Sequence, residues 1–166
     1  KNVENLLSGN SDLMPKNNKV FVVYGHDKNA RTQLEAMLRR WDLEPLIIDQ
    51  LPSDGRTIIE KLEKYTNQVD FGIVLATPDD IGYAKDNESE KKYRVRQNVV
   101  LELGMLLATI GRPKVAILLS QAENMESPSD ISGLIYIPFK ENVEEGALSL
   151  AKEMNRNGYN IEVSKL

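Results

Sequence analysis

The 166-residue chain is 41 % hydrophobic and 28 % charged with a formal net charge of −4, an ordinary globular composition that fits one domain of common size. It has no cysteine and one histidine, which excludes disulfides, thiolate nucleophiles, Cys-ligated zinc and any multi-His metal site within one chain, so no metal is expected. A pI near 5.2 argues against nucleic acid as a direct partner, and no apolar run nears the roughly 20 residues of a membrane span, so a soluble cytoplasmic protein is expected.

The start, Lys1-Asn2-Val3-Glu4-Asn5, lacks the features of a secretory signal. It also lacks an initiator Met, which reads as a piece of a longer protein. Residues 1–18 are polar and read as a linker or arm, with a short helix expected near Val3 to Leu7. Residues 19–166 read as the domain itself. Lys19 to Tyr24 is a β-branched apolar run, hence a buried strand. Ala30 to Trp41 is amphipathic, with Leu34, Met37, Leu38 and Trp41 at helical spacing. Pro45 to Ile48 is a second strand, and the turn residues Pro52 to Gly55 follow. Arg56 to Tyr65 is a second helix carrying Ile58, Ile59 and Leu62. Phe71 to Ala76 is a third strand, and Thr77-Pro78-Asp79-Asp80 stops it. Ile81 to about Lys92 reads as a polar loop. Val95 to Ile110 is a strongly apolar helix, ended by Gly111, Arg112 and Pro113. Val115 to Leu119 and Leu134 to Pro138 are strands, and Val143 to Asn155 is the last helix. Tyr159 to Val163 is a candidate extra strand.

Strands alternating with helices imply a parallel sheet covered on both faces. Five strands with right-handed crossovers suggest a flavodoxin-like α/β fold of order 2-1-3-4-5. Ligands in such sheets sit outside the carboxyl ends of the strands, which selects the loops after Tyr24, Ile48, Ala76 and Leu119.

One carboxylate stands in an unusual place. Val99 to Leu107 is apolar nearly all round, so the helix is expected to be buried on most sides, and Glu102 is its only charge. At about 100° per residue, Asn98 and Thr109 share its face and make a narrow polar seam. Desolvation raises the pKa of an unpaired buried carboxylate. Glycosidic cleavage uses such groups against an oxocarbenium-like transition state. The pattern equally fits a structural Glu that caps a neighbouring backbone or pairs with Arg94 or Arg96. Gly25-His26-Asp27-Lys28-Asn29 follows the first strand, where Gly25 permits close approach and His26 or Lys28 can meet a phosphate. The same residues also suit an ordinary turn capped by Asp27 or Asn29. Asp54-Gly55-Arg56-Thr57 opens the second helix and suits either an anion or a capping turn. Asp79 and Asp80 suit ribose hydroxyls or turn chemistry. Lys91, Lys92, Arg94 and Arg96 form a basic group that suits a pyrophosphate or a solvated loop.

Five segments in order resemble a known family: VFVVYGHDKNART, GRTIIEKLEKY, FGIVLATPDD, RQNVVLELGMLLATIGRPKVAIL and SPSDISGLIYIPF. They are similar to the bacterial TIR-like, nucleotide-binding domains that serve as effectors in CBASS and Pycsar cyclic-nucleotide antiphage systems, including TIR–STING fusions. The match runs from about Lys19 to Lys152. The resemblance implies a TIR fold and NAD glycohydrolase activity, with NAD as substrate and no cofactor. It implies that Glu102 is catalytic, and that Tyr24, Gly25, His26 and Asp27 line the nicotinamide side. Asn98 lies in the family motif one turn before the glutamate. Asp79 is a candidate for ribose, and Lys28 and Arg56 for the pyrophosphate. The resemblance further implies homo-oligomers through TIR–TIR contacts, with the loop near Gln50 to Arg56 completing a neighbour's pocket. It also implies a cyclic-nucleotide-sensing region or partner outside this chain. A catalytically silent interaction module and a nucleoside deoxyribosyltransferase-like enzyme remain the alternatives.

Overall fold

The computed structural model describes residues 17–128 and 133–166. Its main sheet holds β1 (Lys19–Val23), β2 (Glu44–Ile47), β3 (Gly72–Ala76), β6 (Val115–Ser120) and β7 (Ile135–Phe139), in the order β2-β1-β3-β6-β7. All four pairings are parallel, and Val22 stands opposite Ile47 on one side and Ile73 on the other. This is the flavodoxin-like 2-1-3-4-5 order. Helices α1 (Lys28–Arg40) and α4 (Ala147–Arg156) cover one face, and α2 (Ile58–Thr66) and α3 (Gln97–Ile110) cover the other. None of the helices among the described residues is long and apolar enough to cross a membrane.

Each face of the sheet has its own core, because successive strand residues point to opposite sides. Val20 and Val22 pack with Leu34, Leu38, Leu150 and Met154. Phe21 and Val23 pack with Leu62, Val99, Leu103 and Leu106. The helix starts follow from local chemistry. Asp27 accepts from the Ala30 N–H at 2.8 Å, which starts α1 two residues before the apolar pattern begins. Thr57 and Glu60 form a capping box, which starts α2 at Ile58. Gly111 ends α3 at φ +86°, a conformation that favours glycine.

Three expectations differ from the structure. The polar loop after β3 contains an antiparallel hairpin, β4 (Asp80–Gly82) and β5 (Lys92–Arg94), with Ile81 opposite Tyr93. Its strands are three residues each, too short for an alternating pattern to register. Tyr159 to Val163 forms no strand. The Asn155 side chain instead satisfies both backbone groups of Ile161, at 2.8 and 3.0 Å, and so replaces a neighbouring strand. On α2, Leu62 is buried, whereas Ile58 and Ile59 are exposed at 62 % and 54 %. Helix α3 is buried on one face only: Val99, Leu103 and Leu106 meet the sheet, while Val100 and Leu101 are exposed. The short helix expected near Val3 to Leu7 lies outside the described residues.

Candidate functional site

The parallel register aligns the carboxyl ends of β1 and β2, and α2 and α3 overhang them. Between these elements lies a cleft of about 250 Å³. From β1 and the residues after it come Val22, Tyr24 and Gly25. From β2 and its following turn come Ile47, Ile48 and Asp49. Helix α2 adds Ile58 and Lys61, and the start of α3 adds Arg96, Asn98, Val99 and Glu102.

Glu102 is half-buried, and neither Arg94 nor Arg96 forms an ion pair with it among the described residues. Burial pushes its carboxyl up to about 7, and the nearby Asp49 charge adds to the rise. A structural ion pair would act in the opposite direction. Glu102 therefore stands as a poorly solvated carboxylate facing open space. Asn98 lies one turn earlier on the same lining. Thr109 does not share this cleft. It donates to the Met105 carbonyl at 2.8 Å and lines a separate depression near Asp70 and Lys114. Two helical turns place it roughly 10 Å along the axis, too far for one seam to serve one ligand.

Of the residues singled out after β1, Tyr24 and Gly25 line the cleft, whereas His26, Asp27 and Lys28 do not. Asp27 is engaged as the α1 cap. The Gly25–His26 turn is pinned from below by Asp79, whose Oδ1 accepts from the His26 N–H at 3.1 Å and from the Thr77 hydroxyl at 2.9 Å. The approach is so close that a Cβ on Gly25 would collide with the Asp79 carboxylate. Asp79 thus lies beneath the loop, outside the cleft lining. Arg56 is likewise off the lining and pairs with Asp54 at 3.3 Å. Helix α3 starts at Gln97 after Arg96, which supplies no side-chain cap, so among the described residues its first N–H groups, the positive end of the helix dipole, have no side-chain acceptor.

Two residues of the site were not identified from the sequence. Asp49 accepts from the Tyr24 hydroxyl at 2.6 Å, and that hydroxyl accepts from Arg31 at 2.9 Å. Burial and the bond to Asp49 together push the Tyr24 phenol above its ordinary value. Lys61 is only 7 % exposed, and its ammonium donates to the carbonyls of Ile48 and Leu51, each at 2.8 Å. A signal for each exists in the sequence. Asp49 is the first polar residue after the second strand, on a loop that the strand-end rule selects. Lys61 stands four residues before Tyr65 and beside Leu62, on the inward arc of its helix.

Comparison with known proteins identifies the family of this chain. The model of the family described as CAP12/Pycsar effector protein, TIR domain, matches residues 19–141. Protein tirC of Dictyostelium discoideum is 34 % identical over 148 residues, covering 85 % of this chain and 72 % of that protein. Protein YuaY of Escherichia coli K12 is 42 % identical over 127 residues, 76 % of this chain and 42 % of its own length. The Pycsar effector protein PaPycTIR of Pseudomonas aeruginosa is 32 % identical over 90 residues, 54 % of this chain and 28 % of that protein. The chain therefore spans less than half the length of two of these three relatives. With a matched family model over most of its length and the topology described above, the chain belongs to the TIR domain family of CAP12/Pycsar effector proteins.

Proposed function

We propose that this domain cleaves the nicotinamide–ribose bond of NAD, releasing nicotinamide and ADP-ribose or its cyclised form, as the effector part of an antiphage system. The observation that carries this reading is Glu102: a desolvated carboxylate without a partner among the described residues, at the carboxyl end of a parallel sheet. Glu102 hydrogen-bonds the hydroxyls of the nicotinamide ribose and stabilises the positive charge that grows as nicotinamide leaves. The nicotinamide ring is a pyridinium cation while bound and leaves as neutral nicotinamide with the electron pair of the broken bond, so the departure needs no general acid. Water or the adenine base then attacks the ribose. Tyr24 and Gly25 form the wall on the nicotinamide side, with His26, Asp27, Lys28 and Asp79 framing the loop above it. Asn98 steadies the ribose beside Glu102. For the pyrophosphate, Arg96 ranks ahead of Arg56 and Lys28, because it lies on the cleft lining at the uncapped start of α3.

Residues 19–166 are read as one TIR domain that acts in the cytoplasm, with residues 1–18 as its linker. The exposed loop from Gln50 to Arg56 borders the cleft and suits completion of a neighbouring subunit's site. The greater length of YuaY and PaPycTIR leaves room for a sensing region in the whole protein. The test is product analysis after incubating concentrated protein with NAD, beside a panel of deoxynucleosides. Glu102→Ala should lower nicotinamide release by about a hundredfold or more while the chain stays folded. If that variant consumes NAD at the wild-type rate, the assignment fails. Cleavage of deoxynucleosides instead of NAD would favour the deoxyribosyltransferase alternative.

A further inference from the structure

The Glu102 reading leaves one piece of construction unexplained, which is the effort spent on holding Asp49. The turn that carries it, Ile48 to Gln50, has no side-chain cap. Its backbone is fixed instead by the Lys61 ammonium, which reaches from α2 to the carbonyls on both sides of Asp49 and Gln50. The Asp49 side chain is fixed separately by the Tyr24 hydroxyl at 2.6 Å. Tyr24 is held in turn by Arg31, which donates to its oxygen and lies 5.0 Å from its ring centre, and Arg31 pairs with Glu35 at 3.0 Å. Two independent sets of contacts therefore set one carboxylate at the edge of the cleft that holds Glu102.

The charged and titratable groups lining this cleft are Tyr24, Asp49, Lys61, Arg96 and Glu102. Lys61 is engaged with backbone carbonyls, and Arg96 has no carboxylate partner among the described residues. The two carboxylates thus border one cleft, Glu102 half-buried in its wall and Asp49 at its exposed rim, and neither forms an ion pair with a cation among the described residues. Like charges so placed repel each other, and a cationic ligand relieves the repulsion where a neutral one of the same shape does not.

Building on the Glu102 reading, we infer that Asp49 is a specificity-determining residue: held by Tyr24 and Lys61, it joins Glu102 in a two-carboxylate site that selects a pyridinium riboside over its neutral dihydropyridine form. No bond is made or broken by Asp49 itself. Its role is to bias binding toward the oxidised, positively charged ring.

The experiment uses the whole chain, with calorimetry of two probes that do not lose nicotinamide: a carbocyclic NAD analogue, which is cationic, and NADH, which is neutral at the ring. Asp49→Asn should weaken the cationic probe about tenfold, a loss of roughly 1.4 kcal/mol, and leave NADH nearly unchanged. In parallel, the Glu102 carboxyl is titrated by carbon NMR in wild type and Asp49→Asn. Its midpoint should fall from about 7 without reaching the ordinary carboxylate range, because burial persists. Equal weakening of both probes, or an unmoved midpoint, overturns the inference and makes Asp49 a merely structural residue. Lys61→Met keeps the stem and removes the clamp, and should blunt the preference in the same direction. Neither probe nor titration requires turnover. A protein that never releases nicotinamide would refute the proposed activity, while these measurements would still decide the role of Asp49.

Discussion

The two faces of one sheet differ in how they treat polar groups. On the α1/α4 face, nearly every polar side chain near the core is tied to structure. The Trp41 indole and the Arg40 guanidinium both donate to the Lys165 carbonyl, each at 3.0 Å. Gln33 accepts from the Val143 N–H, and Asn155 completes the backbone of Ile161. On the α2/α3 face, Glu102 has no partner among the described residues, Lys61 is buried to hold a turn, and Val100 and Leu101 remain exposed at 43 % and 52 %. The first face is a scaffold with most of its polar groups satisfied, the buried Tyr159 hydroxyl being an exception. The second keeps a group at a cost to stability, and such a cost persists only where another benefit offsets it.

That contrast can be broken. The largest expected effect on stability is Leu34→Ala, which empties a fully buried site on the scaffold face and should cost about 2–5 kcal/mol. Urea unfolding measures it, and nicotinamide release by the folded fraction should stay at the wild-type level. Loss of release in folded protein would mean that the scaffold face also shapes the cleft. Gly25→Ala should cost about 1–3 kcal/mol through the collision with Asp79. Adding Asp79→Ala should restore part of the lost thermal midpoint. No restoration would show that the strain lies elsewhere.

The smallest effect is the most specific to the open face. The folded-state pKa of Glu102 is raised to about 7 from an ordinary 4.5, so its stabilising contribution is complete below about pH 4.5 and is lost as pH rises through 7. Glu102→Gln, which cannot ionise, should melt a little higher than wild type at pH 8 and at the same temperature at pH 4. Equal midpoints at both pH values would show that Glu102 is better solvated than its surroundings indicate.

Much of this was legible along the chain. Alternation of apolar runs with amphipathic segments determined the parallel order of the five main strands, because buried β-branched runs and 3.6-residue periodicity have few joint solutions. The sequence also singled out Glu102, since one charge in an apolar helix is visible without coordinates. What it left undecided was whether that charge was paired. Pairing depends on where separate segments settle: Arg94 turned toward Glu126, and Asp49 arrived from the turn after β2. The same limit applies to Asp79, which has the composition of a ribose ligand but lies under Gly25 once β1 and β3 are paired. It applies again to Lys61, whose place on the inward arc of its helix is written in spacing but whose two carbonyl partners are set only by packing. Local pattern is written in spacing, so the sequence determined the elements and the candidate carboxylate. Desolvation and partnership arise only when separate segments meet, so the tertiary structure alone decided which polar groups were satisfied and which one was left facing the cleft.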